Sequence, residues 1–255
     1  MSYVHGYEAR EQQRLLDQAG SLVALLHHDT AYPPGSRVLE AGCGVGAQTV
    51  TLARNSPGAR FVSIDRSAES LAQTPALANV EYRQADIFAL PFADAAFDHV
   101  FVCFVLEHLD DPVGALRHLQ RVLKPGGTMT VIEGDHGSAY FHPDDAAARE
   151  AIQALVDLQS GDANIGRRLY PLLVDAGLDE VRVSPRMVYV DPSRPELVTG
   201  FTLNTFTAMI AGVREAAVAA ELISAERFDA GIAALERTAA GTFSYTFFKA
   251  TAVRA

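Results

Sequence analysis

One stretch constrains this chain more than any other. The apolar run Val38-Leu39-Glu40-Ala41 breaks into Gly42-Cys43-Gly44-Val45-Gly46, and a helical pattern starts at Gln48. Glycines at alternate positions reach backbone conformations closed to other residues. A strand that turns so tightly into a helix leaves unpaired N–H groups at the helix start, beside bare backbone that a ligand can approach. The chain must therefore open a strand–turn–helix unit here. Gly42, Gly44 and Ala47 also satisfy the dinucleotide spacing G-x-G-x-x-G/A, so the loop alone leaves a nicotinamide dinucleotide, another nucleoside ligand and a plain tight turn open.

The pattern around the loop gives it a fold. Short apolar runs at Arg37–Ala41, Phe61–Ile64, Val80–Arg83, His99–Phe104 and Thr128–Ile132 alternate with helical periodicity at Gln48–Asn55, Ala68–Gln73 and Pro112–Leu123. Strands alternating with helices imply parallel pairing through right-handed crossovers, and so a doubly wound α/β sheet. An amphipathic helix over Glu8–His28 precedes it. After residue 133 a loop rich in Gly, His and Pro (Gly134–Pro143) leads to helices at Ala147–Leu158 and Ile165–Ala176. Two long strands, Val181–Val190 and Thr242–Val253, then flank a helical stretch, 191–241. An insertion of that length is far beyond ordinary connections, and it reads as a lid. The expected division is an N-terminal flap and helix (1–35), a binding core (36–190 and 242–255) and the lid (191–241).

Acids stand at successive strand ends. Asp65, followed by Arg66, closes the second strand where a carboxylate can accept both hydroxyls of a ribose. Asp86, followed by Ile87, closes the third, at the distance of an adenine amino group. Such acids along the carboxyl edge lie where open α/β sheets bind ligands. Each has a plainer reading as well: Asp65 as a helix cap and Asp86 as a solvated loop acid. Cys43 reads as a small filler between glycines, without a charged partner to activate it.

With these residues in view, the chain resembles the class I S-adenosylmethionine-dependent methyltransferases. Glu40-Ala41-Gly42-Cys43-Gly44-Val45-Gly46 is similar to that family's E/D-x-G-x-G-x-G loop, with Asp65 as its ribose acid and Asp86 as its adenine-side acid. Val105-Leu106-Glu107-His108-Leu109, Asp111-Pro112 and Arg121-Val122-Leu123-Lys124-Pro125-Gly126-Gly127 resemble the subgroup containing quinone-biosynthesis and natural-product small-molecule methyltransferases. The resemblance covers roughly residues 36–133. It implies a Rossmann-like sheet of seven strands with the last antiparallel, and S-adenosyl-L-methionine as cofactor. The cofactor-binding residues it implies are Glu40, Gly42, Gly44, Gly46, Asp65 and Asp86; Arg66 and Ile87 beside those acids, Phe104 by its place at the end of the fourth strand, and Tyr7 from a polar aromatic N-terminal flap, Tyr3-Val4-His5-Gly6-Tyr7, are read as cofactor-binding with them. The insertion at 191–241 departs from the pattern, so the acceptor is not transferable from a relative.

Methyl transfer needs a general base only when the acceptor loses a proton as the bond forms. Candidates lie in Ile132-Glu133-Gly134-Asp135-His136-Gly137-Ser138-Ala139-Tyr140, where His136, Tyr140 and Glu133 are read as catalytic. Asn204, Thr205 and Thr207, interleaved with Phe201, Phe206 and Met209, read as polar groups offered from the lid into an apolar pocket. The expected activity is methyl transfer to a small-molecule acceptor in biosynthesis. A non-methylating enzyme on the same fold and an NAD-dependent oxidoreductase are the alternatives.

Composition trims the list. Thirty-one acids against 21 bases give a net charge of −10, and only Lys124 and Lys249 are lysines, so a nucleic-acid face is not expected. Two cysteines, no signal pattern at the N-terminus and no apolar run of about 18 residues lead to the expectation of a cytoplasmic protein outside membranes. No metal site is expected. The expected partner is the small-molecule acceptor, and a homodimer is compatible with the reading.

Overall fold

A computed structural model describes residues 22–255. The flap with Tyr7, and the helix read over 8–28 apart from helical residues 22–27, lie outside the described residues. Seven strands follow: β1 (Arg37–Ala41), β2 (Arg60–Asp65), β3 (Val80–Gln84), β4 (Phe97–Cys103), β5 (Leu123–His142), β6 (Asp179–Val190) and β7 (Thr242–Val253). They form one sheet in the order β3-β2-β1-β4-β5-β7-β6. β1 to β5 are parallel, with Leu39 opposite Val62 on one side and Val100 on the other. Gly126 N–H donates to Arg254 O, and Arg254 N–H to Gly127 O, while Ser138 lies beside Thr246. Rising numbers on β5 thus meet falling numbers on β7, so β7 runs antiparallel. The sheet topology is the doubly wound, seven-stranded one that the sequence pattern implies.

The described chain divides into two compact units. The first holds Val23–Gly134, Ile165–Arg186 and Phe247–Ala255; the second holds Asp135–Asn164 and Met187–Thr246. In the first, the central strands are apolar on both faces, as parallel strands covered by helices must be. β1, for example, buries every residue after Arg37. The helix Pro112–Val122 shows how local sequence and packing agree. Asp111 caps it by accepting from Gly114 N–H, Pro112 occupies its first turn, and Ala115, Leu116, Leu119 and Val122 are buried on one face. Each such leucine, removed from water, contributes about 1.5–3 kcal/mol.

The order β3-β2-β1-β4-β5 reverses direction between β1 and β4. Crevices outside the carboxyl ends at such a reversal are where α/β sheets hold ligands. The glycine loop leaves β1 at this point, so topology and motif agree on one location.

The second unit is organised differently from the expectation. Residues 134–142 are the continuation of β5 rather than a loop, because β7 offers them an antiparallel partner. The helix Ala146–Leu158 belongs with 191–241 rather than with the core. Gly231 of the helix Ala225–Arg237 lies so close to it that an added Cβ would stand 2.5 Å from Ala147 O. Arg227 makes paired bonds to Glu150, and Arg237 bonds Asp145. The division into compact units passes through β5, β6 and β7.

Candidate active site

In the first unit the glycine loop is fixed by its neighbours. Gly42 N–H and Cys43 N–H both donate to Ile64 O at the end of β2, and Gly46 N–H donates to Cys43 O. Gly42, Gly44 and Gly46 have φ of 75°, 53° and 81°, the left-handed region that disfavours side chains. Their surroundings differ. A Cβ on Gly42 would stand 2.3 Å from Val105 Cγ2, and one on Gly46 would crowd Pro75 and Tyr82. A Cβ on Gly44 would meet nothing within 4 Å. Gly42 and Gly46 are therefore glycines for the sake of the fold, whereas Gly44 keeps a face of bare backbone open.

Asp65 reaches back to this loop. Its Oδ2 accepts from Gly44 N–H at 2.8 Å and its Oδ1 from Ser67 N–H at 2.8 Å. The cap of the following helix is Ser67, whose Oγ accepts from Ser70 N–H, so Asp65 is not the capping residue. A carboxylate offers about four acceptor sites. The two that remain suit a pair of vicinal hydroxyls. Asp86, exposed, follows β3 and caps the short turn Ile87–Ala89 through Phe88 N–H. Arg66 is exposed and Ile87 half-buried beside their acids.

Glu40 is buried to 2% exposure. Its Oε2 accepts from Thr49 Oγ1 at 2.7 Å and Ser63 Oγ at 2.6 Å, bracing the loop from beneath. Burial pushes its carboxyl up to about 7; the hydroxyls of Ser63 and Thr49 work against that rise. Burial likewise pushes the Cys43 thiol far above its ordinary range, which works against a thiolate there.

Phe104 closes β4 in the left-handed region, at φ 57°, with its N–H bound to Ile132 O. That conformation is uncommon for a bulky residue and turns the chain at the reversal point. Its ring lies 5.5 Å from that of Phe247. The backbone just beyond is held by Glu133, whose Oε1 accepts from Val105 and Leu106 N–H at 3.0 and 2.8 Å. Glu133 is fully buried, and burial together with nearby Glu107 pushes its carboxyl well up. The group read in the sequence as catalytic thus has its carboxylate turned into the protein to hold the turn after β4.

The second unit carries His136, buried beside Asp135. His136 Nδ1 lies 3.2 Å from Tyr245 Oη, and the backbone N–H of His136 donates to Ala163 O. Phe201 and Phe206 contact Tyr245 and Phe243 at ring-centre distances of 4.7–6.1 Å. Tyr140 is 71% exposed and is not brought to this cluster. Tyr245 is the residue that sequence reasoning passed over. Its signal was a phenol in an otherwise phenylalanine row on β7, at 243, 245 and 247.

The sheet order, its reversal point and the open glycine turn with acids at the next two strand ends define a Rossmann-like α/β domain built to hold a nucleoside. Residues 39–131 match the family described as Methyltransferase domain. Over that segment the chain is similar to the class I S-adenosylmethionine-dependent methyltransferases. An uncharacterised 37.1 kDa protein from a transposon of Streptomyces fradiae is 34% identical over 209 residues, covering 79% of this chain and 61% of that protein. A demethylmenaquinone methyltransferase of Staphylococcus aureus is 34% identical over 110 residues, covering 41% and 46%. The chain therefore spans only about half to three-fifths of the length of these relatives. Among solved structures, phosphoethanolamine N-methyltransferase 2 of Haemonchus contortus matches with TM-score 0.58 at 18% identity, covering 93% of this chain and 53% of that one. The [4+2]-cyclase SpnF matches with TM-score 0.57 at 21% identity, covering 93% and 81%. These likenesses concern the fold. Among the described residues, no helix is long and apolar enough to cross a membrane.

Proposed function

We propose that this protein binds S-adenosyl-L-methionine and transfers its methyl group to a small-molecule acceptor. The observation that carries the reading is the open backbone at Gly44, bonded to Asp65 within a segment that matches the methyltransferase family. The residues fit the group. Gly42, Gly44 and Gly46 shape the turn, and Asp65 has acceptor sites left for the ribose. Asp86, with Arg66 and Ile87 alongside, is assigned to the adenine side, and Phe104 gives an apolar wall. Glu40 acts from beneath by holding the loop.

When bound, the cofactor supplies an electrophilic methyl group on a sulfonium. The chain's own part is positioning and exclusion of water, which carry much of the catalysis of a displacement of this kind. Glu133 is assigned a positioning role, keeping the turn after β4 in place through two backbone N–H groups. For an acceptor that loses a proton, His136 is assigned as the base, oriented by Tyr245. Tyr140 is assigned to acceptor contact from its exposed position. The second unit, with 191–241 as its main part, is assigned to the acceptor. We also infer a cytoplasmic location and no nucleic-acid partner, from the cysteine count and the acidic balance; a homodimer is compatible with the reading.

Calorimetric titration with S-adenosylhomocysteine tests the cofactor assignment. Asp65→Ala is expected to weaken binding about 10- to 100-fold, the loss of hydrogen bonds to a charged acceptor. Absence of binding by the unaltered protein at millimolar concentration sinks the proposal. The fold is shared with a cyclase, so product analysis decides the reaction: transfer of isotope from methyl-labelled cofactor to an acceptor is the expected outcome.

A further inference from the structure

The helical stretch at the centre of the second unit has an unusual register. Pro195–Leu197, Val198–Thr207 and Ala208–Ala211 follow one another, and the middle segment is π-helical. Ala208 N–H donates to Leu203 O, five residues back, and Thr205 Oγ1 donates to Gly200 O, also five back. π-helical register is rare, and where it occurs, mostly as single turns within α-helices, it is frequent at functional sites. The sequence carries the matching repeat: Phe201-Thr202 recurs five residues later as Phe206-Thr207. In an α-helix, positions five apart diverge by about 140°. In the i→i+5 register they fall near one face, and the structure shows it, since Phe201 and Phe206 both pack on Phe243 and Tyr245.

The threonines one residue on form a second row. Thr202 and Thr207 are 1% and 4% exposed, and neither hydroxyl has a hydrogen-bond partner among the described residues. Thr205 between them is satisfied by Gly200, so the segment is able to absorb a hydroxyl of its own. Buried polar groups in folded proteins are nearly always paired, and each exception calls for an explanation. Here two exceptions recur at the interval of the register itself, beside a row of aromatic rings.

Resting on the methyltransferase reading, we propose that Thr202 and Thr207 are the polar seat of an acceptor site in the second unit. They would bind the oxygen of a flat aromatic small molecule, a phenol or an enol, whose ring packs with the aromatic row of Phe201 and Phe206. Small-molecule sites are commonly built this way, from apolar and aromatic side chains with a few placed polar groups. The π register is what sets both rows at a common spacing.

The test compares two probes, 2-naphthol and naphthalene, which share a ring system and differ by one phenolic oxygen. The unaltered protein is expected to bind 2-naphthol about 10-fold more tightly than naphthalene. The double variant T202V/T207V keeps the side-chain shape and removes both hydroxyls. It is expected to bind the two probes equally, with its thermal midpoint unchanged or raised, because unpaired buried hydroxyls stabilise nothing. Thr205→Val, which deletes a hydroxyl already bonded to Gly200, is expected to lower the midpoint and keep the preference. The proposal is overturned if the unaltered protein does not bind 2-naphthol at millimolar concentration, shows no preference for it over naphthalene titrated up to its solubility, or retains that preference in the double variant. A lowered midpoint in the double variant also overturns it, by showing the hydroxyls already paired. S-adenosylhomocysteine binding, measured in parallel, separates the two claims. Its absence strikes the methyltransferase reading, whereas its persistence alongside any of those results strikes the threonine seat alone.

Discussion

Replacing Gly44 with alanine separates what the loop does for the fold from what it does for a ligand. At φ 53° an L-residue carries left-handed strain of about 1–2 kcal/mol. Nothing else opposes the change, because the new Cβ has no atom within 4 Å. For a chain of this size the strain lowers the melting midpoint by about 2–8 °C. The cofactor, if it lies against this backbone, meets a methyl group with no space prepared for it. Crowding of that kind costs about 1–3 kcal/mol, or roughly 5- to 150-fold in affinity. Gly42→Ala is the control. Its Cβ would stand 2.3 Å from Val105 Cγ2, so the fold itself is expected to lose about 2–5 kcal/mol. The assay pairs thermal melts with calorimetric titration of S-adenosylhomocysteine on both variants. The expected result is a well-folded Gly44→Ala protein with weakened binding, beside a strongly destabilised Gly42→Ala protein. Gly44→Ala binding as tightly as the unaltered chain refutes the reasoning, because the open face would then not face the cofactor.

Three further outcomes follow from the geometry. Glu40 is held up to about 7 in the folded protein, above its unfolded value near 4.5, so the folded state binds the extra proton; its contribution is present below pH 4.5 and lost as pH rises towards 7. Glu40→Gln keeps an acceptor for Thr49 and Ser63 but cannot ionise, so its stability relative to the unaltered protein should grow across that window, and parallel melt-versus-pH curves would refute this. His136→Ala is expected to lower kcat about 100-fold or more for a hydroxyl acceptor with cofactor affinity unchanged, and Tyr245→Phe to lower it less, with a shifted pH–rate profile; unchanged turnover removes the pair from the chemistry. Lys249 is buried to 4% exposure and donates to Leu26 O, Asp29 Oδ1 and Thr30 Oγ1. Lys249→Met should cost about 1–3 kcal/mol in a denaturant titration, towards the lower end because water still reaches Asp29, and a midpoint that does not move would contradict the bonding described.

Local pattern made the binding core legible. The spacing of apolar runs located the five parallel strands, with ends shifting by at most two residues in the first four and by five and ten in β5, and alternation with helices located their order in the chain. Gly42, Gly44 and Gly46 announced a turn whose φ values are indeed left-handed. The separate duties of those glycines were not legible, because Val105, Pro75 and Tyr82 come from other parts of the chain. For the same reason the contacts of Glu133 were not legible either. An acid three residues before His136 reads as part of one catalytic segment, and its carboxyl group holds backbone N–H groups 27 and 28 residues away.

The segment after residue 133 shows where sequence reading stops. Glycines, histidines and a proline read as a loop, since nothing in 134–142 reveals that β7, more than one hundred residues on, supplies a strand to pair with. The same partner brings Tyr245 to His136 and sets Phe243 against Phe201 and Phe206. What the sequence determined alone was the nucleoside-binding half: periods of two and 3.6, glycines at alternate positions and acids at strand ends are local signals, produced by backbone sterics and burial within a few residues. What tertiary structure alone decided was which glycine stays open, which acid is turned inward and which phenol meets the histidine. Those depend on pairings across long chain separations, and a one-dimensional pattern holds no record of them.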